Sequence, residues 1–148
     1  MEIIPRVKFL GDWFREGDLG FLFAPRGLGK TWLGLIIAKA IAEGSEAGPW
    51  KAGAAVPVLY VDGEMPIETI QQRLRGLSVS DHNFLILNHE IFFERTEQVL
   101  NLTSPSTQNG LMELCQENKI KVLILDNLSC LFSETSVSPC ESDRKFHS

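Results

Sequence analysis

The residues of this chain best suited to chemistry are Ala24-Pro25-Arg26-Gly27-Leu28-Gly29-Lys30-Thr31. They fit a phosphate-binding loop, with Ala24 standing where the first glycine of the pattern is usual. A bound polyphosphate explains these types at this spacing. Gly27 and Gly29 let the backbone wrap closely, so that successive N–H groups face anionic oxygens. A helix beginning near Gly29 adds its positive dipole end and its unpaired amides. Lys30 would reach the β- and γ-phosphates, and the Thr31 hydroxyl would ligate Mg²⁺. Ala24 is acceptable in the first position if the backbone there does not need a positive φ. The plainer alternative is a glycine turn between a strand and a helix, with Lys30 merely solvated.

Two more stretches set acids at the ends of apolar runs. Lys121 to Asp126, KVLILD, is a continuous buried-strand run closed by a carboxylate. It has the form of a Walker B strand, whose Asp126 would orient Mg²⁺ directly or through water. Many parallel strands end in Asp, so this signal takes its weight from being paired with the loop. Val58 to Val61, VLYV, runs into Asp62-Gly63-Glu64-Met65-Pro66. Carboxylates just past the C-terminal end of a strand lie where open α/β sheets hold their ligands. Asp62 and Glu64 could equally form a capped turn ahead of the helix that Pro66 begins.

The elements that must position these groups are legible in outline. Gly17-Asp18-Leu19-Gly20 reads as a turn feeding a first strand over Phe21 to Phe23. After the loop, Leu33, Ile36, Ile37, Ala40 and Ile41 recur at helical spacing, with a stop at Glu43-Gly44. Ser45 to Pro57 reads as a surface loop anchored by Trp50, and Phe9, Trp13 and Phe14 as aromatic packing over the sheet edge. A helix is predicted from Ile67 to Leu77, with Ile70, Leu74 and Leu77 inward, and a strand from Asn83 to Asn88. His89 to Leu102 has no clear pattern. Gln108 to Asn118 is a short amphipathic helix carrying Leu111, Leu114 and Cys115. Asn127 onward begins as an apolar loop, and 136–148 is expected to be disordered.

Composition narrows the classes. With 148 residues, 44% of them hydrophobic, the chain supports one domain, taken as 1–135. A formal net charge of −5 provides no electrostatic footprint for nucleic acid. The three cysteines are odd in number and lack a CxxC pair, so neither a disulfide framework nor a zinc site is implied. Cys115 and Cys130 read as small core hydrophobes. No apolar window is long enough to span a bilayer, and a soluble, cytoplasmic protein without membrane contact is expected.

Taken together, the loop at Ala24 to Thr31, the acidic corner at Asp62 to Glu64 and the strand-end Asp126 resemble the RecA-like branch of P-loop ATPases. More narrowly, they resemble the RepA-type hexameric replicative helicases and their AAA-family relatives, over most of Gly17 to Phe132. The resemblance implies a three-layer α/β/α fold with a mostly parallel sheet, ATP with Mg²⁺, a hexameric homo-oligomer and single-stranded DNA as a partner. VLYVDGEMP looks like the family's second strand, which makes Glu64 the general base for the attacking water, with Asp62 as the competing carboxylate. Lys30 joins it as a catalytic residue, and Thr31 and Asp126 become the metal side.

Departures from the family matter too. Nothing after Phe132 looks like its next helix, its polar sensor strand or its arginine donated in trans, so the C-terminal strands are expected to be missing. Two other functions stay open. A P-loop small-molecule kinase would hold an acceptor hydroxyl at the Asp62 to Glu64 corner, although Arg73 and Arg75 alone make a poor lid. A non-enzymatic nucleotide-binding module would keep the cradle and lose turnover.

Overall fold

A run of branched and aromatic residues such as Val58 to Asp62 favours a strand buried on both faces, and in the computed structural model it forms the middle of the main sheet. The structure describes residues 2–25, 27–79 and 82–133. In chain order the strands are β1 (Lys8–Leu10), β2 (Phe14–Arg15), β3 (Glu46–Ala47), β4 (Trp50–Lys51), β5 (Val58–Asp62), β6 (Phe84–Asn88) and β7 (Val122–Asp126). The helices are α1 (Lys30–Glu43), α2 (Ile67–Gly76), α3 (His89–Thr96), α4 (Pro105–Glu117) and α5 (Leu128–Leu131). Arg26 and 136–148, the expected disordered tail, lie outside the described residues.

The main sheet is parallel, in the order β6-β5-β7. All five residues of β5 are buried, and alternation divides the first four between two apolar clusters. Val58 and Tyr60 face Leu35, Ala38 and Ile41 of α1. Leu59 and Val61 join Leu100, Leu102 and Leu131, with Leu111 and Leu114 of α4 packed alongside. Gly44 ends α1 in the left-handed region at φ 69°, its N–H bonded to the Ala40 carbonyl, which is the stop that Glu43-Gly44 predicts.

Several expectations are corrected. Phe21–Phe23 forms no strand; the three residues are 61%, 50% and 85% exposed. A three-residue apolar run becomes a strand only where a neighbour completes its ladder, and among the described residues it lies in none of the sheets. Phe21 and Phe23 stack on each other instead, with ring centroids 5.9 Å apart. The stretch read as a surface loop holds a two-stranded ribbon, β3 with β4, and a second ribbon pairs β1 with β2. Trp50 packs edge-on to Trp13, and Phe14 lies against both Trp13 and Phe9, so these aromatics pack on one another across the two ribbons. His89 to Leu102 contains α3, whose start is capped by the Asn88 side chain. Cys115 is free and half-buried, whereas Cys130 is buried and disulfide-bonded, a pairing the cysteine pattern does not suggest. Among the described residues no helix is long and apolar enough to cross a membrane.

Candidate functional site

Ladder register sets three polar residues level at the C-terminal edge of the sheet. Asp62 of β5 is paired with Asn88 of β6 on one side and with Asp126 of β7 on the other. Past that edge the chain turns sharply, and the phosphate-binding loop comes to the same place from α1.

The loop itself carries the conformation that its glycines allow. Gly27 and Gly29 have φ of 83° and 79°, values that an L side chain rarely adopts. Ala24 is not among the residues of positive φ, so a methyl group in the first position costs the backbone nothing there. Gly29 is the N-cap of α1 and supplies no side-chain acceptor, and the first turn contains no acid. The helix therefore starts with its amides uncapped by any side chain, beginning at Lys30 and Thr31. Pro25, Gly27, Leu28 and Gly29 are exposed, and Ala24, Lys30 and Thr31 are half-buried. The strand expected ahead of the loop is absent, so the loop is positioned by α1.

Among the described residues one hydrogen bond joins the loop to the sheet. The Thr31 hydroxyl donates to Asp126 Oδ2 at 3.0 Å, across 95 residues of sequence. A hydroxyl whose proton is committed in this way keeps its lone pairs for a cation. Both groups are hard oxygen donors of the kind that suits Mg²⁺. Among the described residues no group of three or more His, Cys, Asp and Glu side chains could hold a metal alone. One carboxylate and one hydroxyl are the partial donor set that a cation shared with a ligand's phosphates would use.

The two acids of the corner separate into different roles. Asp62 is fully buried, and Oδ1 accepts the backbone N–H groups of Glu64 and Met65, each at 3.0 Å. Its Oδ2 accepts from the Asn88 amide at 2.9 Å. This is a capped turn in which Asp62 is the cap. Burial pushes its carboxyl above the usual range, and the donated bonds from Met65, Glu64 and Asn88 pull it partly back. Replacing Asp62 by alanine would leave three donors unmatched at a buried site, and a loss of about 3 kcal/mol is expected, read as a lower midpoint in urea denaturation. An unchanged midpoint would show that the turn stands without its cap. Glu64 is half-exposed, and its Oε2 accepts from Asn127 Nδ2 at 2.7 Å.

The structure adds residues that the sequence reading missed. Asn88 also donates to the Met65 carbonyl at 2.9 Å, and His89 Nε2 lies 3.0 Å from that oxygen. Asn127 holds Glu64 and caps α5 through Cys130 N–H. Tyr60 donates to Asp126 Oδ2 at 2.6 Å. A tyrosine inside an otherwise aliphatic strand was the available signal, because a buried phenol needs a partner. Arg73 lies 5.1 Å over the Trp32 ring, tying α2 to the start of α1 rather than forming a lid. A cavity of about 400 Å³ runs along β6 between Ile70, Leu74, Ile86 and Phe92. It lies apart from the phosphate-binding loop, and the chemistry of the donors locates the site better than the volume does.

Glycine loop, helix start and strand-end carboxylates, joined through the Thr31–Asp126 bond, define a P-loop α/β domain. A family model described as AAA domain matches residues 2–143, and the chain belongs to that family of P-loop ATPase-like domains. No curated protein and no solved structure matches it.

Proposed function

We propose that this chain binds ATP with Mg²⁺ and hydrolyses it to ADP and phosphate, as a RecA-like domain related to DNA-replication helicases or recombination ATPases. The observation that carries the reading is the Thr31 to Asp126 bond at 3.0 Å, with Glu64 in the turn that follows the adjoining strand. In this reading the amides of the Ala24 to Thr31 loop and the Lys30 ammonium bind the phosphates. Arg26 belongs to that loop by sequence. Thr31 and Asp126 hold the cation, which neutralises charge on the phosphate oxygens when bound. Glu64 orients and polarises the attacking water, with Asn127 holding its carboxylate in place. Positioning and charge neutralisation supply the rate, since phosphoryl transfer asks little covalent chemistry of the protein.

The three-layer RecA-like arrangement, a hexameric homo-oligomer and single-stranded DNA as a partner belong to the same proposal and rest on the family resemblance. The test is Mg-ATP binding and phosphate release by the purified chain, with and without single-stranded DNA. Hydrolysis that rises with DNA is the expected result. Phosphate transfer to an added metabolite would replace the reading by a kinase, and binding without turnover would replace it by a nucleotide-binding module.

A further inference from the structure

Tyr60 is the single tyrosine of the chain and is fully buried in the middle of β5. Its hydroxyl donates to Asp126 Oδ2 at 2.6 Å, and the same oxygen takes the Thr31 hydroxyl at 3.0 Å. Two donors on one carboxylate oxygen fix the orientation of the Asp126 side chain. Among the described residues no hydrogen bond engages Oδ1.

The ring is wedged from two sides. It stacks on Phe84 of β6 with an interplanar angle of 16° and centroids 6.5 Å apart. On the other side it lies against Gly34 of α1, where an added Cβ would sit 3.2 Å from the hydroxyl oxygen and 3.4 Å from Cε2. The helix that carries Lys30 and Thr31 therefore comes close at the point where the phenol must pass to reach Asp126. Gly34 keeps that path open.

We propose that Tyr60 is a positioning residue for the divalent cation. It holds Asp126 so that Oδ2 takes the Thr31 proton, which leaves the Thr31 lone pairs and Oδ1 for the cation or its bound water. This rests on the nucleotide and Mg²⁺ reading above. Outer partners of this kind typically change metal affinity by about 10- to 100-fold when removed.

The test uses the full chain and Mn²⁺ as the probe, its binding followed by electron paramagnetic resonance at saturating non-hydrolysable ATP analogue. Affinity for the analogue without metal is measured in parallel. Tyr60→Phe keeps the ring and its stack on Phe84 and removes only the donor. About a tenfold loss of Mn²⁺ affinity is expected, with metal-free nucleotide affinity within about twofold of wild type. Gly34→Ala gives a second route, since it crowds the phenol while favouring the helix, and the same split is expected. Unchanged Mn²⁺ affinity in both variants, with wild type binding normally, would overturn the role of Tyr60 alone. Failure of the wild-type chain to bind either nucleotide or Mn²⁺ would overturn the nucleotide reading and the role of Tyr60 with it.

Discussion

Replacing Lys30 by alanine is expected to lower the affinity for Mg-ATP by about 100-fold, the size of losing charge-assisted hydrogen bonds to a phosphate. Lys30 is the first residue of α1, directly after the left-handed Gly29, where the helix amides have no side-chain cap. Its ammonium and those amides would act on the same phosphates, so its loss removes the mobile charge and leaves the fixed dipole. The helix should tolerate the change, because alanine is the best helix former and Lys30 is only half-buried. Calorimetric titration with Mg-ATP, with circular dichroism as the folding control, measures the effect. Equal affinity in a folded variant would mean that the loop is not the phosphate cradle.

Glu64→Gln should have the opposite signature: nucleotide affinity retained, and single-turnover phosphate release slowed about 1000-fold, within the range for removing a general base. Glutamine has the same shape and can still accept from Asn127, which now bonds Glu64 Oε2 at 2.7 Å. The acid is therefore removed with little change in geometry. Asp62 cannot stand in for it, because it is fully buried with both oxygens already accepting hydrogen bonds. Turnover at the wild-type rate in Glu64→Gln would place the base outside this corner.

How far the sequence announced this arrangement differs from residue to residue. Lys30, Thr31 and Asp126 could be picked out because a loop with restricted backbone needs glycines at fixed offsets, and because a buried strand ending in an acid is conspicuous. That Thr31 and Asp126 meet is a tertiary fact, and no local pattern contains it. The strand expected at Phe21–Phe23 shows the same limit from the other side. Its residue types favour a strand, yet extended structure depends on a partner elsewhere in the chain, and three residues carry too little information to name one. As acids in a turn Asp62 and Glu64 read alike, and only the family resemblance favours Glu64 as the base; burial and three donated bonds make Asp62 a cap. Asn88, Asn127 and Tyr60 went unread as site residues because amides and phenols acquire roles only through what lies beside them. The family model supports the broad class, while the water-activating role of Glu64 stays with the proposal.

The level register of β6, β5 and β7 also acts as a proofreading device. Asp62 stands opposite both Asn88 and Asp126 because each flanking strand is paired residue for residue with Val58 to Asp62. If β7 slipped by one position, Asp62 would face Leu125 or Asn127, and every β7 side chain would pass to the other face of the sheet. Val122, now in the cluster under α1, would then be driven into the opposite core. An error of one residue in the placement of Asp126 is thus also an error in the packing of a whole strand, and the folding reaction rejects it before any ligand could. The spacing of the polar groups is checked by the hydrophobic core, and selection on stability alone would preserve it.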